Sequence, residues 1–142
     1  MSHSSLLFHC VFATKNRKPL IKDEMQPRLW AYMGGIAKTN EITAVSIGGT
    51  RDHVHLLLSL HPMMPIAKAI QLIKAGSSKW MHKDMGQNLF QWQEKYGAFT
   101  IGISQKASTV RYIRNQKKHH AKMNFAQEWK TILERHGLDA DE

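Results

Sequence analysis

Asp52-His53-Val54-His55-Leu56-Leu57-Leu58 opens on an acid and a histidine, and is apolar from there on apart from one further histidine. Read as a strand, it alternates its side chains across two faces, so His53 and His55 project to one side while Val54 and Leu56 enter the opposite layer. A run this apolar belongs inside a sheet. An imidazole buried there without a partner is costly, so each histidine needs a hydrogen bond or a metal. The preceding stretch 42–48 has strand composition and reaches it through Gly49-Thr50-Arg51-Asp52, which predicts a hairpin with the histidines opening its second strand.

Working outward, residues 6–14 alternate two largely apolar sets and read as a central strand, followed by the basic loop Lys15-Asn16-Arg17-Lys18-Pro19. Met25, Leu29, Tyr32, Met33 and Ile36 carry helical spacing between residues 22 and 40. A long helix is predicted over 65–85, with Ile66, Ala69, Ile70, Ile73, Trp80 and Met81 on one side and Lys68, Lys79 and Lys83 on the other. Residues 98–104 read as a strand. Two helices follow, near 108–120 and 124–136, the second carrying Phe125, Trp129, Ile132 and Leu133 and ending at Gly137. The order β, α, β, β, α, β, α, α predicts an α+β sandwich with a mainly antiparallel sheet and helices packed on one face, in a single domain spanning 1–142.

Composition narrows the partners. Apolar residues make up 42% of the 142, enough for one core, and 20 Lys and Arg against 11 Asp and Glu give a net charge of +9. Such an excess favours a polyanion through counterion release, with nucleic acid ahead of an anionic membrane surface. No apolar run approaches the roughly 18 residues of a spanning helix, and no signal peptide opens the chain, so a cytoplasmic location without membrane association is expected. Cys10 stands alone, which excludes an intramolecular disulfide framework and a multi-cysteine zinc knuckle.

Nine histidines in this length make roughly 0.6 His-x-His pairs by chance, so the pair alone does not define a metal site, and satisfied core or surface histidines remain an alternative. The segment Tyr112-Ile113-Arg114-Asn115-Gln116 adds a second element. On a helix Tyr112 and Gln116, four residues apart, project from one face, so a phenol stands beside an amide oxygen able to join a metal. Tyr112 is open to two readings, a nucleophile or a half-buried packing residue with a wet hydroxyl. Lys15, Arg17 and Lys18 and the Lys68, Lys79 and Lys83 face are candidate phosphate contacts, or solvated surface.

Taken together, residues 52–58, Trp92-Gln93 with Tyr96-Gly97-Ala98-Phe99, residues 112–116 with His119-His120, and Thr14-Lys15-Asn16-Arg17-Lys18-Pro19-Leu20 resemble the small single-tyrosine HUH transposases of the insertion sequence 200/605 (IS200-like) type. The resemblance runs nearly the length of the chain. It implies a ferredoxin-like HUH endonuclease fold, a homodimer, and cleavage and rejoining of single-stranded DNA at hairpin-marked element ends through a 5′-phosphotyrosine. It further implies Tyr112 as nucleophile, His53, His55 and Gln116 as metal ligands, and Mg2+ or Mn2+ as the ion. The chain departs from many such proteins in residues 136–142, which stop sooner than their aromatic tails.

Two other functions compete. A relative that binds structured single-stranded nucleic acid without cleavage would keep the scaffold and lose the covalent step. A two-histidine phosphoesterase wants two His-x-Thr/Ser motifs, which the chain does not supply. A zinc hydrolase wants further ligands soon after His55, where Leu56-Leu57-Leu58 stand instead.

Overall fold

The computed structural model describes residues 2–139, so residues 140–142 of the C-terminal segment singled out above lie outside the described residues. Its elements are β1 (Leu7–Ala13), α1 (Gln26–Thr39), β2 (Thr43–Gly49), β3 (His53–Ser59), α2 (Ile66–Lys83), β4 (Gly97–Ile101), α3 (Lys106–Arg114), α4 (Gln116–His120) and α5 (Phe125–Arg135). The strands form one antiparallel sheet in the order β2-β3-β1-β4, so the histidine strand and β1 are both central. The expected α+β class with an antiparallel sheet is what the chain adopts.

One face of the sheet, with Cys10, Phe12, Val54, Leu56 and Leu58, is covered by Leu29, Met33 and Ala37 of α1 and Ala69, Ile70, Ile73 and Met81 of α2. The expectation of helices on one face holds for this pair only. On the reverse face α3 lays Ile113 against Leu7 and Leu57, and α5 lays Ile132 and Leu133 against Val11 and Phe99. The physical reason is in β1 and β3, whose second face carries Leu7, Val11 and Leu57 beside His9, His53 and His55 and is buried as the first is. Enclosing His53 and His55 falls to this second layer.

Two boundaries differ from the sequence expectation. β4 stops at Ile101, because Gly102 turns the chain into a single 3-10 turn at Ile103–Gln105 that leads directly into α3. The helix expected near 108–120 is divided at Asn115, whose φ of −97° and ψ of 20° leave the helical region between α3 and α4. By contrast α5 is closed at both ends as its sequence indicates. The Asn124 side chain accepts from Gln127 N at 2.9 Å, and the Gln127 side chain accepts from Asn124 N at 3.1 Å, a reciprocal capping box. At the other end Gly137, at φ 71°, donates to Glu134 O while Leu138 donates to Leu133 O at 2.8 Å, the paired bonds of a Schellman cap. No helix among the described residues is long and apolar enough to cross a membrane.

Candidate active site

The register of the sheet places the histidines. His55 lies opposite Val11 of β1 and Gly48 of β2, and the alternation that buries Val54 and Leu56 under α1 and α2 turns both imidazoles toward α3, α4 and α5. Neither has any exposed surface. His53 Nδ1 donates to the Asp52 carboxylate at 2.8 Å, and the Thr50 hydroxyl donates to the same oxygen at 3.0 Å, so the hairpin turn holds this ring with Nε2 aimed inward. On the other ring, His55 Nδ1 lies 2.8 Å from Nε2 of His9, a buried histidine of β1.

The break at Asn115 positions the next group. Gln116 opens α4 with its Oε1 2.9 Å from His53 Nε2, and its Nε2 donates to Tyr112 O at 3.4 Å. Tyr112 packs edge-on against His55 and His9 with centroid separations of 5.5 and 6.0 Å. Its hydroxyl donates to Oε2 of Glu128. The structure thus brings His53, His55 and Gln116, all buried, together with the half-buried Tyr112 in one cluster.

Glu128 of α5, which sequence reasoning missed, is the centre of that cluster. Its Oε1 lies 2.9 Å from His120 Nε2, 3.2 Å from His55 Nε2 and 3.4 Å from His53 Nε2. Its Oε2 accepts from Gln116 Nε2 at 3.1 Å as well as from Tyr112, and lies 3.4 Å from His119 Nε2. The signal for Glu128 was available. It sits between Phe125 and Ile132 at helical spacing, an acid within the stripe that α5 buries. A straight helical projection sets His119, not His120, near the face of Tyr112 and Gln116, because it cannot foresee the kink at Asn115; in the structure it is His120 that bonds Glu128. His9 was hidden in the alternation of an apolar strand.

Burial and charge act against each other here. For Glu128 burial opposes ionisation, yet the hydrogen bonds from His53, His55 and Tyr112 outweigh it and hold the carboxyl well below the usual carboxylate range. Burial would likewise lower His53, but Asp52, Glu128 and Gln116 raise it to about 9. His55 is lowered to about 4 by burial, only partly countered by Glu128, and His9 to about 3 by burial and by His55. Burial and the bond to Glu128 push the Tyr112 hydroxyl above its ordinary value.

These donors suit a divalent cation. The candidate ligand atoms of His53, His120 and Glu128 all lie within 4.8 Å of one another, and Gln116 adds an amide oxygen beside His53. His119 Nε2 is buried without a hydrogen bond at the edge of the cluster.

Of the proposed DNA contacts, Lys15, Arg17 and Lys18 are exposed on the turn after β1. Arg17 borders a groove of about 730 Å³ together with Tyr96, Phe125, Trp129 and Lys130, and the Phe125 ring stands 4.4 Å from that of His53. Lys68, Lys79 and Lys83 are exposed on α2, across the sheet from the histidines.

Known proteins are similar to this chain in sequence and architecture. ISDra2 transposase TnpA of Deinococcus radiodurans is 28% identical over 119 residues, covering 78% of this chain and 84% of its own. The transposase for insertion sequence element IS200 of Salmonella typhimurium is 24% identical over 115 residues, covering 77% and 75%. A crystal structure from Deinococcus radiodurans R1 superposes with a TM-score of 0.64 at 26% identity, over 81% of this chain and 93% of that one. A REP-associated tyrosine transposase bound to a REP hairpin shares the fold, with a TM-score of 0.63 at 16% identity over 87% and 76%. The family described as "Transposase IS200 like" matches residues 2–116, which takes in both histidines of β3, Tyr112 and Gln116 and stops short of α5. The chain belongs to the IS200-like transposases, enzymes of DNA transposition.

Proposed function

We propose that the chain, as one domain in a homodimer, cuts and rejoins single-stranded DNA at hairpin-marked ends through a covalent bond to Tyr112. The observation that carries this reading is the Tyr112 hydroxyl held by Glu128 beside His53 and His55. In the cutting step the Tyr112 oxygen attacks a backbone phosphorus, a Tyr112 O–P bond forms, and the P–O3′ bond breaks. The departing oxygen takes a proton from solvent and leaves as a 3′-hydroxyl. The 5′ side stays on the protein as a phosphotyrosine, so phosphodiester energy is retained and a 3′-hydroxyl can reverse the step.

A free phenol titrates near ~10 and Tyr112 is held above that, so its proton must be taken as it attacks. The nearest acceptor is Glu128 Oε2. His53, His55 and Gln116 would hold Mg2+ or Mn2+. Such an ion, when bound, withdraws charge from the scissile phosphate and favours the developing negative charge. Asp52 and Thr50 fix the His53 ring, and Gln116 Nε2 keeps Glu128 turned toward the phenol. Lys15, Arg17 and Lys18 supply phosphate contacts on the side of the groove, and Lys68, Lys79 and Lys83 a second basic face. The REP-hairpin-bound neighbour supports hairpin DNA as the substrate.

The test is a denaturing gel of protein mixed with labelled single-stranded hairpin DNA from the regions flanking its gene, with Mg2+ or Mn2+. A metal-dependent covalent species present with wild type and absent with Tyr112→Phe is expected. Tight hairpin binding with no adduct in either metal would instead favour binding without cleavage, a reading consistent with the complete burial of His53 and His55 beneath α4 and α5.

A further inference from the structure

We propose that Glu128 and His120, from the segment beyond the family-matched residues, belong to the metal site, with Glu128 Oε1 a ligand and Glu128 Oε2 the group that holds the Tyr112 hydroxyl. The inference rests on the metal-dependent reading of this site, and is independent of which DNA the enzyme cuts.

The geometry separates the two oxygens of one carboxylate. Oε1 faces the Nε2 atoms of His120, His55 and His53 at 2.9, 3.2 and 3.4 Å. Oε2 faces Tyr112, the Gln116 amide and His119. The Nε2 atoms of His53 and His120 face that oxygen, and ligand atoms of His53, His120 and Glu128 all lie within 4.8 Å of one another, an arrangement that a cation satisfies well, because each imidazole, once its proton is lost, and the carboxylate can offer a lone pair to it. A buried carboxylate kept only for packing has no need of that convergence, and its desolvation is costly unless charge offsets it. Glu128 is 1% exposed.

The helix that carries Glu128 is built to place it. The capping box at Asn124 and the Schellman cap at Gly137 fix both ends of α5, while Ile132 and Leu133 seat it on Val11 and Phe99. His120 closes the short helix α4, half-buried, with its ring centroid 4.5 Å from that of His53. An anionic ligand makes the site tighter for a dication than imidazoles and an amide alone. It also ties the ion's position to that of the nucleophile through one side chain.

Mn2+ titration of the full chain, freed of metal by chelation, tests this by calorimetry and by the electron paramagnetic resonance signal of unbound Mn2+. Wild type should bind, and Glu128→Gln, which keeps shape and an acceptor but removes the charge, should weaken Mn2+ by about tenfold or more, with His120→Gln showing a loss of the same order. Tyr112→Phe should keep the wild-type affinity to within about twofold, because the hydroxyl it removes bonds Oε2 rather than the ligand oxygen Oε1, and the ring that packs against His55 is kept. Circular dichroism confirms the fold of each variant, and His120→Gln, at a less buried position, carries the test if Glu128→Gln does not fold. Wild-type affinity in either folded variant, or no binding by wild type, overturns the proposal. A wild-type DNA adduct alongside unweakened Mn2+ binding in Glu128→Gln would sink this inference alone. Weakened binding in Glu128→Gln with no adduct from wild type would sink the transposase mechanism and leave the ligand assignment standing.

Discussion

His9 Nε2 and His55 Nδ1 lie 2.8 Å apart, both buried, in adjacent strands of the sheet. Both are neutral at pH 7, since burial lowers His9 to about 3 and His55 to about 4. A neutral pair shares one proton across the bond, so His9 decides which nitrogen of His55 carries it and therefore whether Nε2 offers a lone pair. His9→Leu, which keeps bulk and removes the partner, should weaken Mn2+ binding by about tenfold with the fold retained. Calorimetry reads the affinity, and an unchanged value would show that His55 orients itself.

Gly97 and Trp129 make the second close approach. A Cβ on residue 97 would come within 2.6 Å of Trp129 Cη2 and 2.9 Å of the Phe99 ring, so only glycine lets α5 settle on β4. Gly97→Ala should destabilise the protein by about 1–3 kcal/mol through overpacking. Urea unfolding measures this, and because Glu128 rides on α5, the same substitution should lower adduct yield below what the stability loss alone accounts for.

Cys10 is fully buried in β1 and burial pushes its thiol up to about 12. A thiol rather than a thiolate, without access, does not react. In native buffer a disulfide reagent at pH 8 should leave Cys10 unmodified and modify it fully in denaturant. Rapid native labelling would mean that β1 opens readily.

The basic residues allow a test of DNA approach. Arg17 borders the groove lined in part by Phe125, whose ring packs against that of His53, whereas Lys79 and Lys83 lie across the sheet. Arg17→Ala with Lys18→Ala should weaken hairpin binding and lower the slope of log affinity on log salt by about one for each phosphate that is no longer neutralised. Lys79→Ala with Lys83→Ala should cost less in the same assay. The reverse ranking would place the DNA on the α2 side.

The sequence by itself determined the class of the fold and made legible four of the residues that the structure gathers together, His53, His55, Tyr112 and Gln116. Period-2 alternation in residues 7–13 and 53–59 is enforced by the pleat, so the pairing of His53 and His55 on one face was legible without coordinates. The four-residue spacing of Tyr112 and Gln116 also survives, although a kink intervenes, because it is local. Tertiary structure alone decided what those groups meet. The second helical layer, the division at Asn115, and the arrival of Glu128, His120 and His9 at the histidines depend on how α3 to α5 dock against the second face of the sheet. Contacts such as His55 with Glu128, separated by 73 positions, leave no periodicity in the chain and are fixed only by packing.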